Sequence, residues 1–334
     1  ATNYHLRWQL FEAARCWNHD FGLNLDDREL SLWLGQLRDQ SGPPLTPSRV
    51  LGALGGIVAS RMAREFRFGG PSFVVSANAD SGNKALQAAT DLLRRGQADA
   101  MLVSAVDLAG EGRSVARMKA TTTLSRSNRV RAFDIKADGT LPGDGAVSMV
   151  LKTLDKARRD GDRIYAVIKG IGTAGGDNPA TGMVSAETYN RSLKRCFGNA
   201  GVSPRDISFL EADGSGVPDQ DLLELEALSD FFSLPASDHP SAAIALGSVK
   251  PIIGHTGAAS SLVALAKTAI CLYHRLLPPL PDYTRPLASA DATMPFHMPG
   301  KAQYWCRDRE SGPRSACSAS VSLDGSCSHI LLQE

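Results

Sequence analysis

The chain has 334 residues, with 36 Lys+Arg against 35 Asp+Glu for a formal charge of +1, and 43% of its residues are hydrophobic while 21% are charged. So even a balance gives no footprint for nucleic acid or another polyanion, and the composition excludes disorder, collagen and coiled coil in favour of one large globular domain or two packed halves. The longest stretch free of Asp, Glu, Lys and Arg, residues 251–266, carries His255, Thr256, Ser260 and Ser261, too short and polar to span a bilayer.

Apolar residues at helical spacing predict surface helices over 4–18 and 26–39, followed by the Pro-rich break SGPPLTPS at 41–48. A further helix is expected over 50–66, ended by Gly69-Gly70-Pro71, which leads into an extended piece at 72–76. Asn78-Ala79-Asp80-Ser81 then opens a helix over 81–95, with Asp80 and Ser81 read as its caps, and 98–106 reads as a strand. The later chain repeats this grammar: strand 243–249, loop 250–255, and a buried helix over 256–274. Between them lie strands at 146–151, 164–170 and 207–212 and helices at 186–199 and 219–232, with a closing strand at 329–332. Strands alternating with helices argue for an α/β protein with buried sheets.

Gly170-Ile171-Gly172-Thr173-Ala174-Gly175 has the glycine spacing of a dinucleotide loop. Asp177-Asn178-Pro179 follow where a helix N-terminus is required, and no strand-ending acid lies about 20 residues on, so a turn between sheet and helix is the better reading. The seven histidines show no HxxxH or HxH spacing, which argues against a metal site. Six cysteines without a CxxC pair read as reduced thiols in a cytoplasmic protein. The chain has no initiator Met and no basic-then-apolar leader, and reads as a segment of a longer polypeptide.

The elbow at Ala79 is a strand-to-helix turn whose dipole favours a thiolate or oxyanion, yet alanine can use neither. Glu211-Ala212-Asp213-Gly214-Ser215-Gly216 ends a strand in a glycine-flanked turn. Lys250 leads into Ile253-Gly254-His255-Thr256 at the mouth of the buried helix, where Gly254 and Gly257 suggest close approach of backbone to a substrate.

At these residues the chain resembles the condensing-enzyme family, the β-ketoacyl-ACP synthases of fatty-acid and polyketide synthases. The matching stretches are GPSFVVSANADSGNKAL at 70–86, RAFDIKADGTLPGDGA at 131–146, EADGSGVPDQDLLELEAL at 211–228, GSVKPIIGHTGAASSLVALAK at 247–267 and SHILLQE at 328–334. The resemblance implies a thiolase-like fold layered αβαβα with two pseudo-repeated halves, divided here as 46–160 and 161–334. Residues 1–45 form an unplaced helical segment, so the opening part of the first half is either absent from this chain or diverged.

In that family a Cys on the elbow carries the acyl group while two histidines decarboxylate the malonyl extender and stabilise the resulting charge. The nucleophile's position falls here on Ala79 and the first histidine's on Asp213; His255 and the motif lysine, Lys250, are kept. The closing loop, Val321-Ser322-Leu323-Asp324-Gly325-Ser326-Cys327, also departs from the family's pattern. Such a chain is similar to chain-length factors and other non-catalytic ketosynthase-like domains, and GALGGIVASRMAREF at 52–66 looks most like those of polyunsaturated fatty acid synthases. The resemblance implies a pseudo-enzyme without a bound cofactor, whose ligand is an acyl or malonyl phosphopantetheine on acyl carrier protein. Its partners would be that carrier and an active ketosynthase, paired in a dimer through the strand near 98–106. Two alternatives remain: a malonyl-ACP decarboxylase, and an active synthase with Ser81 or Cys327 displaced into the nucleophile's role.

Overall fold

A computed structural model describes residues 2–44, 46–108, 110–176, 184–233, 243–287, 294–308, 310 and 312–334. They fall into two compact units, Ala1–Val74 and Val75–Glu334.

The first unit is helical. Helices α1 (Thr2–Asp20) and α2 (Asp27–Ser41) pair side by side, with the Trp17 and Trp33 rings 6.3 Å apart and Ala14 buried between them. Asp26 and Glu29 close a reciprocal capping box at the start of α2, satisfying three backbone N–H groups that the helix itself cannot. The helix expected over 50–66 is two, α3 (Pro47–Ala53) and α4 (Ile57–Glu65), because Gly55-Gly56 interrupts it. Residues 72–76, expected to be extended strand, join no sheet.

The second unit opens with a 3-10 turn, Asn78–Asp80, that runs into α5 (Ser81–Arg94) and then β1 (Met101–Leu108), α6 (Gly112–Thr121), β2 (Asp144–Leu151) and α7 (Leu154–Asp160). β3 (Val167–Ala174), α8 (Ala186–Ala200), β4 (Ile207–Glu211), α9 (Pro218–Phe232) and β5 (Ile244–Gly247) follow. A short turn, α10 (Lys250–Ile253), and a 3-10 turn, Gly257–Ala259, lead into α11 (Ser260–His274), then β6 (Leu276–Leu277), β7 (Phe296–His297), β8 (Gln303–Tyr304), β9 (Ser315–Val321) and β10 (Cys327–Gln333).

β1 and β2 form an antiparallel ribbon, β6 and β8 another, and the main sheet runs β3-β10-β9-β4-β5-β7. β9, β4, β5 and β7 are parallel, while β10 is antiparallel to β9 and β3. Side-chain alternation along β4 splits the core: Phe209 faces α5 and α11, which lie between the main sheet and the β1–β2 ribbon, whereas Leu210 faces α8 and α9 on the other side. Four layers of the expected α/β arrangement therefore lie within this unit, and α5 and α11, each entered through a 3-10 turn, are the counterparts of its two halves.

The glycine motif at 170–175 is not a turn. Gly170 and Gly172 lie inside β3, where α8 presses so close that a Cβ on Gly172 would sit 2.1 Å from the Ser192 carbonyl oxygen. Glycine serves helix-on-sheet packing there, with no room for a phosphate. Asp177, Asn178 and Pro179 lie outside the described residues. Among the described residues no helix is long and apolar enough to cross a membrane, and the six cysteines are free thiols.

Candidate functional site

Ala79 sits in the elbow turn with only 4% of its surface exposed, after Asn78, whose φ of +49° is left-handed. Asn tolerates that conformation, and the Ser81 hydroxyl braces it by donating to the Asn78 carbonyl (2.6 Å) while accepting from the Ala77 N–H (2.8 Å). The expected cap at Asp80 does not form. Its carboxylate turns away into the protein to accept from the Ser328 hydroxyl, 3.8 Å from Lys84 Nζ, and burial pushes its pKa up to about 6.

The loop after β4 is held by α9. Glu224 accepts from the Asp213 N–H (2.8 Å), the Gly214 N–H (2.9 Å) and the Tyr189 hydroxyl (2.7 Å). Burial first, and the Asp213 charge second, push the Glu224 pKa up to about 7. Asp221 accepts from the Phe133 N–H and the Ser215 hydroxyl, and burial raises it to about 6. With its backbone so fixed, Asp213 projects one carboxylate oxygen to the Val321 N–H (3.2 Å) and the other to Lys250 Nζ, 2.5 Å away. The Lys250 and Asp213 side chains are 5% and 12% exposed, so the pair is nearly dry.

His255 is partly buried, its N–H bonded to Leu141 O and its carbonyl oxygen accepting from Gly143 N–H. Its ring Nδ1 has no hydrogen-bond partner. Burial first, then the Lys250 charge, push its pKa down to about 4, so the imidazole is neutral near pH 7. The flanking glycines allow close approach of other protein segments, and Gly257 also lies on the cavity wall. A Cβ on Gly254 would lie 3.0 Å from the Leu141 and Pro142 carbonyl oxygens, and one on Gly257 would lie 2.1 Å from the Asp107 carboxylate, which accepts from the Ala258 N–H.

These pieces enclose one cavity of about 210 Å³, lined by Ala79, Asp213, Lys250 and His255 together, by Val321, Ser322 and Leu323 of the closing loop, and by α6 through Ser114, Arg117, Met118 and Thr121. The four residues singled out in the sequence thus meet, although they come from three separate segments. The α6 contribution went unread, because GRSVARMKAT is polar and leaves none of its residues buried. Of the two displaced nucleophiles considered, the Ser81 hydroxyl is committed to the elbow backbone, and Cys327 is fully buried in β10, its thiol pKa pushed up to about 12 chiefly by burial. Among the described residues no three His, Cys, Asp or Glu side chains converge to hold a metal ion.

The sequence matches the β-ketoacyl synthase N-terminal domain over residues 30–157 and the β-ketoacyl synthase C-terminal domain over 165–284. It is 34% identical to the polyketide synthase ThaG of Burkholderia thailandensis across 98% of this chain and 6% of that protein. With polyketide synthase PksL of Bacillus subtilis the identity is 30%, across 94% of this chain and 7% of that one. Among solved structures, the ketosynthase from module 6 of the bacillaene synthase of Bacillus subtilis superposes with a TM-score of 0.79 at 30% identity, covering 85% of this chain and 50% of that one. The oxazolomycin ketosynthase OzmH KS7 of Streptomyces albus does so with a TM-score of 0.79 at 26% identity, covering 90% and 52%. The chain thus spans a small fraction of those synthases and about half of those ketosynthase chains.

Proposed function

The chain belongs to the β-ketoacyl synthase family, with a thiolase-like α/β fold close to the ketosynthase domains of polyketide synthases, and from that premise we propose that it is a ketosynthase-like domain that does not condense. Ala79 carries the reading, since a methyl group at the elbow cannot form an acyl thioester. Asp213 adds a second defect. Condensation needs donors aimed at the oxyanion of a decarboxylating extender, and Asp213 offers a carboxylate instead while occupying the Lys250 ammonium. Losing one such donor costs about a hundred- to a thousandfold in rate.

On this reading the domain receives acyl groups on the phosphopantetheine arm of acyl carrier protein without capturing them, and pairs with an active ketosynthase. The outward side chains Leu102, Val106 and Leu108 of β1 are exposed, which supports a dimer contact through that strand. Incubating the chain with acyl-ACP and malonyl-ACP and measuring intact mass tests the reading: no acyl adduct and no acetyl-ACP are expected. The decarboxylase alternative draws on His255 alone, and acetyl-ACP formation without an adduct is the result that favours it.

A further inference from the structure

The α5–β1–β2 and α11–β9–β10 segments are one unit built twice. Leu86, Ala89 and Leu93 of α5 are buried at the positions that Leu265, Thr268 and Leu272 hold on α11, and each helix is followed by an antiparallel pair of long strands. The surroundings of the two pairs differ. β9 is flanked by β4, which runs parallel to it, and β10 by β3, which runs antiparallel. Among the described residues no strand flanks the β1–β2 ribbon on either edge.

The difference shows in burial. On β10 the side chains turned to the α5 and α11 layer, Ile330 and Leu332, are fully buried. Their counterparts on β2, Val147 and Met149, face the same layer yet are only half-buried. The second half of the fold therefore identifies what would cover them: a strand antiparallel to β2, as β3 is to β10. Nothing on β2 defends its edge. Its eight residues, DGAVSMVL, include no Pro, Lys or bulge, the usual guards against strand addition, and its one charge, Asp144, stands at the end. α11, which packs against β2, adds Ile270 and Tyr273 to the exposed apolar surface, at positions where α5 has Asp91 and Arg94.

Symmetry selects the occupant. Two copies of one chain related by a two-fold axis can pair a strand with its own counterpart only in the antiparallel sense. That is the sense the β2 edge requires, and the opposite of the parallel sense that β4 on β9 sets for the β1 edge. We propose that β2 pairs edge to edge with β2 of a second copy of this chain, joining the two ribbons into one four-stranded sheet. The contact with a ketosynthase through the outward side chains of β1 leaves this edge free, so the proposal does not rest on that reading.

Sedimentation velocity of the full chain alone, over about two decades of concentration, tests it together with amide hydrogen exchange at both ends of that range. A reversible dimer is expected, with exchange of the 144–151 amides slowed at high concentration and no comparable slowing over 101–108. Met149→Lys points a charge inward at the edge and should weaken association about tenfold or more. A chain that stays monomeric throughout overturns the proposal and leaves the edge to a strand of another protein. A dimer whose 144–151 amides still exchange freely, or one that Met149→Lys does not weaken, overturns it as well. The exchange comparison needs no variant, so it decides even where Met149→Lys fails to fold.

Discussion

Lys250 Nζ lies 2.5 Å from the Asp213 carboxylate, in a cavity wall where both side chains are almost dry. Each charge is tolerated there because the other is present, and the pair removes the one ammonium that could face a developing enolate.

Removing either partner should therefore be costly. Asp213→Ala is expected to destabilise the chain by about 3 kcal/mol, since it strands a buried ammonium, whereas the paired change Asp213→Leu/Lys250→Met should recover most of that loss. Urea unfolding of Asp213→Ala, Lys250→Met and the double variant checks this, and a double variant as unstable as the worse single one contradicts it.

The pH dependence of stability sets buried carboxyls, Asp80, Asp221 and Glu224, against buried imidazoles, His255 and His329. The folded Glu224 pKa of about 7 lies above its ordinary 4.5, so as pH rises from 4.5 to 7 only the unfolded chain ionises and stability falls. The folded His255 pKa of about 4 lies below its ordinary 6.5, so as pH falls from 6.5 to 4 only the unfolded chain takes up a proton and stability also falls. Near pH 5.5 the two slopes oppose each other. Glu224→Gln should remove one of the opposing carboxyl contributions, giving stability that rises more steeply with pH between 4.5 and 6.5 than in the natural chain. Parallel curves for the two chains would show that Glu224 does not titrate in this range.

Native-state alkylation separates surface thiols from buried ones. Cys16 and Cys306 are exposed, while Cys196, Cys271, Cys317 and Cys327 are buried. Iodoacetamide at pH 7.5 should add two labels and spare Cys327, whose thiol burial keeps protonated. Rapid labelling of Cys327 would restore it as a candidate nucleophile.

Gly172→Ala forces a methyl group against the Ser192 carbonyl oxygen and should cost about 3 kcal/mol, whereas Gly198→Ala on α8 meets nothing within 4 Å and should be neutral or slightly stabilising. Thermal melts of the two variants distinguish packing glycines from permissive ones, and equal losses would contradict the close approach of α8 to β3.

The strongly periodic elements were legible in the sequence: α5, α8, α9 and α11 lie within a few residues of where their apolar spacing places them. β9 was not, because SACSASV is buried along nearly its whole length by small residues and shows neither alternation nor an apolar run. The glycines at 170 and 172 misled in the opposite direction, since spacing alone cannot tell a phosphate loop from a strand pressed by a helix. Ala79, Asp213, Lys250 and His255 could be placed together only through the family's motifs. That Lys250 pairs with Asp213 depends on contacts between segments distant in the chain.

Condensation by the Ala79→Cys chain tests the two-defect account most directly. Intact-mass spectrometry after addition of acyl-ACP and malonyl-ACP should show the acyl adduct on Cys at position 79 with no β-ketoacyl product, because Asp213 still holds Lys250 and offers no donor to the extender. Turnover to β-ketoacyl-ACP by this single variant would contradict the account, leaving Ala79 as the sole lesion and Asp213 compatible with the chemistry.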